Sequence, residues 1–105
     1  MAAIGAAGCA THSPTIADLA YNPGRYYHRT ISVDGVVSHA WTAPFVPVRV
    51  YKVQDGTGEI TVVSRGRVPP PGARVEVTGR IEDVAMIGGR EVGLHIREER
   101  VHVSR

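Results

Sequence analysis

An all-β fold, a small closed barrel of five antiparallel strands behind one short helix, is the architecture this sequence predicts. Three observations lead there. From residue 25 onward apolar residues recur at every second position, the period of a half-buried strand, and not at helical spacing. Stretches rich in glycine and proline cut residues 25–103 into five such segments. Five strands in roughly 80 residues are too few for a two-sheet sandwich of immunoglobulin size, whereas closure into a barrel removes exposed edges.

Residues 1–10 carry no charge and little side-chain bulk, too little to offset the entropy of ordering them. Residues 1–12 are therefore expected to be a disordered leader and residues 13–105 the folded domain. Ser13 is a candidate N-cap, Pro14 suits the first helical position and Asp18 faces the helix dipole. A short helix is expected to run to Tyr21, with Asn22-Pro23-Gly24 ending it. In the first strand Tyr27, Arg29, Ile31 and Val33 alternate with His28, Thr30, Ser32 and Asp34. Asp34-Gly35 is either a hairpin turn or a bulge in one long bent strand reaching Trp41, because strand-forming residues continue on both sides.

The second segment, residues 45–53, sets Val46, Val48 and Val50 on one face and Phe45, Arg49, Tyr51 and Val53 on the other. Asp55-Gly56-Thr57-Gly58 is a tight turn, after which residues 59–64 return antiparallel. Residues 65–73 contain Pro69-Pro70-Pro71-Gly72, a stiff connection with few backbone donors. In the fourth strand Val75, Val77, Gly79 and Ile81 share one face, against Arg74, Glu76, Thr78 and Arg80. It is read as continuing to Met86-Ile87, with a turn at Gly88-Gly89. The last strand, residues 91–103, turns Val92, Leu94 and Ile96 inward and His95 and Arg97 outward.

Lys+Arg exceed Asp+Glu by 12 to 10, for a net charge of +2 and a pI near 9.0. That balance permits a polyanion partner without demanding one. Lys52 is the only lysine, and the other eleven cations are arginines suited to planar, bidentate contacts. A single cysteine excludes an internal disulfide and a thiolate metal cluster. The five histidines (His12, His28, His39, His95, His102) form no His-x-His on a strand and no i, i+4 pair on a helix. No metal and no cofactor are expected. No G-x-S-x-G elbow occurs, and Gly56-Thr57-Gly58 lacks the lysine and the following helix of a phosphate loop, so the chain reads as non-catalytic. No apolar run is long enough for a membrane-spanning helix.

Ala6-Ala7-Gly8-Cys9 resembles a bacterial lipobox, which would make Cys9 a lipidation site. The residues before Cys9 lack a basic start and a full apolar core. The leader thus reads two ways: as the remnant of an export signal on an envelope lipoprotein, or as the Ala/Gly-rich start of a cytoplasmic protein.

The run Val33-Asp34-Gly35-Val36-Val37, then Asp55-Gly56-Thr57-Gly58-Glu59-Ile60, then Gly72-Ala73-Arg74-Val75-Glu76-Val77-Thr78-Gly79-Arg80-Ile81 resembles the OB-fold of the anticodon-binding and replication-protein type. The chain is also similar to small bacterial OB-fold proteins with lipoprotein-like leaders. The resemblance spans residues 25–103 and implies a five-stranded Greek-key barrel. It leaves the ligand open, since OB-folds take single-stranded nucleic acid, oligosaccharides and proteins. Nucleic-acid members commonly place a helix between the third and fourth strands. Here residues 65–73 stand in its place, and the N-terminal helix, residues 14–21, is expected to plug the barrel instead.

Single-strand binders set aromatic platforms beside cations that track phosphates. With Val46, Val48 and Val50 inward, Arg49 and Tyr51 point outward on the usual binding face. Trp41 and Phe45 flank them, and Arg65 and Arg67 form the far rim. These six are the candidate ligand-binding residues. The expected function is a binding module for single-stranded nucleic acid. The alternative is an envelope-anchored lipoprotein domain that binds a protein or glycan through the same face.

Overall fold

The computed structural model describes residues 13–42, 49–83, 85–87 and 90–104. Helices α1 (Ile16–Tyr21) and α2 (Pro23–Tyr26) precede strands β1 (Thr30–Thr42), β2 (Arg49–Gln54), β3 (Glu59–Ser64) and β4 (Arg74–Glu82). Two short strands, β5 (Ala85–Ile87) and β6 (Arg90–Val92), pair with each other, and β7 (His95–Ser104) follows. Five strands form a closed barrel in the order β1-β2-β3-β7-β4. The ring is antiparallel except where β3 meets β7, which run parallel with Thr61 opposite His95 and Val63 opposite Arg97. This one parallel seam departs from the all-antiparallel expectation. It arises because the chain passes from β3 over to β4 and then returns between the two.

No hairpin forms at Asp34-Gly35. The first half of β1 pairs with β4, from Thr30 opposite Arg80 to Val36 opposite Arg74. The second half pairs with β2, from Val36 opposite Gln54 to Thr42 opposite Arg49. One bent strand serving two neighbours closes the ring. Gly35 sits at the changeover, where a Cβ would run into the Gln54 carbonyl and the Val53 side chain. Gly79 meets the same restriction against the Arg97 carbonyl and Ile96. Both positions need glycine for close approach of backbones.

Ile31, Val33 and Val37 of β1, Tyr51 and Val53 of β2, Ile60 and Val62 of β3, Val75, Val77 and Ile81 of β4, and Ile96 of β7 fill the interior. Ile16 and Leu19 of α1 join them, so the helix seals one end of the barrel, as expected. It begins later than expected, however. Thr15, not Ser13, is the N-cap, with its hydroxyl accepting from Asp18 N–H and the Asp18 carboxylate accepting from Thr15 N–H. Such reciprocal capping outcompetes Ser13, which has no glutamate or aspartate three residues on. The other free amides of the first turn go to the β2–β3 turn: Ile16 N–H donates to Asp55 Oδ2 (2.9 Å) and Ala17 N–H to Thr57 Oγ1 (3.0 Å).

Strand β4 ends at Glu82 and does not continue to Met86-Ile87, which belong to the separate β5–β6 hairpin. The last strand starts at His95, not at residue 91. His95 keeps the outward parity expected of it, beside the inward Ile96, but it is covered, with Nδ1 2.8 Å from the Gly93 carbonyl. Thr78 is likewise covered, its hydroxyl 2.8 Å from that of its cross-strand partner Ser32.

Asp55 Oδ1 also accepts from the Thr57 N–H and hydroxyl and from Gly58 N–H. Burial pushes the Asp55 carboxyl up, but the bonds from Thr57, Ile16 and Gly58 outweigh it and hold the group below its ordinary 3.8. Folding therefore favours the charged form. The stability it contributes is complete above pH 3.8 and is lost as pH falls through the lower folded value. Asp55→Ala should cost about 1–2 kcal/mol in urea unfolding at pH 7. The variant should also lose part of the wild-type protein's destabilisation below pH 4. Equal midpoints at pH 7 would show that the helix docks without this carboxylate.

Candidate functional site

Directly opposed residues on neighbouring strands share a face, so the register assigns the outer surface of the barrel. Tyr51 and Val53 lie in the interior cluster; Val50 and Lys52 therefore point outward. On β1 the register shifts between Val37, opposite Val53, and His39, opposite Lys52, leaving Ser38 as a bulge. Strict alternation from the buried Val37 would send Trp41 inward. The bulge turns it outward, opposite Val50.

An apolar row results. Trp41 on β1 lies beside Val50 on β2, which lies beside Val63 on β3. Trp41 and Val63 are half-buried. Val50 has no exposed surface although it stands outside the interior cluster, so it is covered from the outer side. A second row, His39, Lys52, Thr61 and His95, runs next to it. Lys52 is tempered by Glu59, its Nζ lying 3.8 Å from Oε1. Oε2 of the same carboxylate accepts from the Ser38 hydroxyl (2.6 Å) and lies 3.9 Å from His39 Nδ1. Arg49, opposite Ser64, and Arg65, which follows it, are exposed at one end of the rows. Among the described residues neither has a carboxylate within ion-pair distance.

The six sequence-predicted residues are thus divided. Trp41 lies on the outer face of β1–β3. Arg49 does not point outward as expected: it shares the inward parity of Tyr51 and Ser64 and is exposed only because it stands at the barrel mouth, next to Arg65. Phe45 lies outside the described residues, as do Val46, Val48 and Cys9. Arg67 is exposed, but it lines a different feature, a groove of about 300 Å³ formed with Val68, Pro69, Pro70, Val101 and Val103. Tyr51 corrects the expectation outright, because it is fully buried and cannot stack a base. Its hydroxyl donates to Glu98 Oε1, and the Ser64 hydroxyl donates to Glu98 Oε2 at 2.8 Å. Ser64 in turn accepts from Gly66 N–H (3.0 Å). Val50 and Lys52 take the outward places on β2 that Arg49 and Tyr51 were expected to hold.

Burial, reinforced by the hydrogen bond and charge of Glu98, pushes the Tyr51 phenol well above its ordinary 10.0. The fold thus favours the protonated form. The stability this contributes is complete below pH 10 and is lost as pH rises beyond it. Tyr51→Phe should cost about 1–3 kcal/mol at pH 7, because Glu98 keeps Ser64 alone. It should also flatten the alkaline loss of stability above pH 10. A Tyr51→Phe chain with the wild-type alkaline profile would place that titration elsewhere.

No protein-family model and no curated protein matches this sequence. Solved structures do match in shape. OBody AM3L09 bound to hen egg-white lysozyme aligns with a TM-score of 0.57 and 20% identity, over 75% of this chain and 84% of that one. The asparaginyl-tRNA synthetase of Pyrococcus horikoshii aligns at 0.58 and 16% identity over 75% of this chain. That of Entamoeba histolytica, in complex with asparaginyl-adenylate, aligns at 0.57 and 17% over 72%. The match covers 20% of each synthetase chain. Likeness at such identities is likeness of fold, and together with the closed β1-β2-β3-β7-β4 ring it makes this chain an OB-fold barrel.

Proposed function

We propose that this chain is a non-catalytic OB-fold module that binds single-stranded nucleic acid across the outer face of β1–β3. The observation carrying the reading is the half-buried Trp41 on the outside of the barrel, in one row with the covered Val50 and the half-buried Val63, with exposed Arg49 and Arg65 at the adjoining barrel mouth. Bases stack on an aromatic plane whatever their sequence, and guanidinium groups beside it hold phosphates. The two synthetases, proteins whose names pair them with tRNA, lend the reading support by shape alone. In this module Trp41 is the stacking platform, Arg49 and Arg65 hold phosphates, and Lys52 is a cation weakened by Glu59.

A second reading has its own observation. The OBody that shares the barrel is bound to a protein. An apolar row rimmed by polar residues also fits a protein hot spot. The lipoprotein form of this reading, with a lipid on Cys9 and a protein or glycan as partner, rests on the leader, outside the described residues.

Fluorescence anisotropy with labelled single-stranded RNA separates the readings. Trp41→Ala should weaken binding by about 1–3 kcal/mol without lowering the melting temperature of the barrel. Arg49→Gln/Arg65→Gln should make the log–log salt slope shallower by about 1.4, two phosphates at ~0.7 each. Tyr51→Phe should leave affinity unchanged. Absence of saturable binding at low salt would move the assignment to the protein reading.

A further inference from the structure

We infer that Arg80, Arg97 and Arg100 form a second anion-holding patch, on the outer surface of β4 and β7, that takes the phosphodiester backbone of a strand leaving the Trp41 face. The patch deepens the nucleic-acid reading and rests on it. Its first support is register. Arg97 lies directly opposite Arg80, and Arg100 opposite Thr78, so the three guanidinium groups share one face. All three residues are exposed.

One of them, Arg100, is there because of a bulge. Arg97 and Arg100 are three residues apart, a spacing that an unbroken strand sends to opposite faces. The register of β7 on β4 shifts between Glu98, opposite Gly79, and Arg100, opposite Thr78, leaving Glu99 as the extra residue. That shift restores Arg100 to the outer face. Like charges directly opposite one another destabilise a sheet, so the pair Arg80/Arg97 is a cost that an anionic ligand would relieve.

The local acids do not cancel it. Glu82 reaches Arg97 at 3.8 Å, but with 62% of the arginine side chain exposed this is a weak surface pair. Glu99 sits at the bulge, and Glu76 lies beyond Thr78, opposite His102. Among the described residues no carboxylate pairs with Arg80 or Arg100. The Arg80 Nε donates to the His28 carbonyl (3.1 Å), which anchors the guanidinium and leaves its two Nη groups for a ligand.

Placement gives the direction of the strand. Val63 of the apolar row is opposite Arg97, and Arg97 is opposite Arg80. At about 4.8 Å between neighbouring strands, Arg80 lies roughly 15 Å around the barrel from Val50. A chain stacked on Trp41 and crossing β2 and β3 meets Arg97 first and Arg80 next. A ligand only a few nucleotides long stops short of them.

The test uses the full chain and two labelled uridine oligonucleotides, a 4-mer and a 16-mer, titrated at 50 and 200 mM salt. The variant is Arg97→Gln/Arg100→Gln; Arg80 stays because it holds His28. The 16-mer should bind the variant about five- to tenfold more weakly at 50 mM, with a log–log slope shallower by about 1.4. The 4-mer should bind both proteins alike, and the melting temperatures should agree. Unchanged 16-mer affinity and slope in the variant would overturn the patch while leaving the Trp41 face standing. Equal weakening of both lengths would also overturn it, as a diffuse field and not a separate site. Binding of neither oligonucleotide by the wild type would remove the nucleic-acid reading itself. The patch is then read with inorganic tripolyphosphate by NMR: shifts of the Arg97 and Arg100 Nε–H signals uphold an anion site, and their absence refutes it.

Discussion

The Asp55 carboxylate is the point on which the rest of this barrel hangs. One oxygen closes the β2–β3 turn through Thr57 and Gly58, and the other receives the first amide of α1. A five-stranded ring lined by valine and isoleucine has open ends, and water at an open end would undo the burial that stabilises it. Ile16 and Leu19 close one end, and they are held there by Asp55 and Thr57. The turn and the plug therefore depend on the same carboxylate, so the hairpin that forms from local sequence also docks the most distant element. At the opposite end Glu98 does a related task with Tyr51 and Ser64, satisfying polar groups that the barrel mouth would otherwise strand.

The surface, by contrast, is set by bulges. Two register shifts, at Ser38 and at Glu99, each re-aim a side chain that alternation assigns elsewhere: Trp41 in the first case and Arg100 in the second. A bulge costs a ladder hydrogen bond and adds twist, which a small barrel uses to bend its strands around the ring. Close approaches at Gly35 and Gly79 belong to the same geometry, since strands bent this sharply bring backbones against each other. Curvature and outer surface thus have a common origin. The residues that make the barrel close also decide what it shows to solvent.

This explains what the sequence revealed and what it concealed. Strand content, the Asp-Gly-Thr-Gly turn and the inner face of β4 follow from period-two burial, which acts residue by residue and is visible without the fold. The orientation of β2 was misread because Val46, Val48 and Val50 alternate as convincingly as Tyr51 and Val53 do. A signal that settles it was present. A four-residue turn at 55–58 puts Gln54 opposite Glu59, hence Val53 opposite Ile60 and Tyr51 opposite Val62, and two residues as apolar as Ile60 and Val62 face the core. No comparable signal exists for the bulges, because they depend on strands far apart in sequence. Trp41 was identified as a site residue from its type and place in the chain, but the shift that turns it outward is a property of the ring. The parallel β3–β7 seam, which puts Arg97 next to Val63, was hidden for the same reason.

Charge distribution then bears on what kind of molecule fits. A net charge of +2 gives a weak overall field, and the central cation of the face, Lys52, is already shared with Glu59. On the proposed reading, affinity comes from contact, through stacking on Trp41 and planar arginine bonds, more than from long-range attraction. A compact protein partner centred on Trp41 could use the apolar row and stop at its rim. It would draw nothing from Arg80 and Arg97, which face each other two strands and one strand beyond β3. A chain-like polyanion uses both, since it leaves the row still carrying a charge at every phosphate. On the proposed reading, the unfavourable placement of two arginines side by side answers to a ligand that continues around the barrel and not to one that ends on the face.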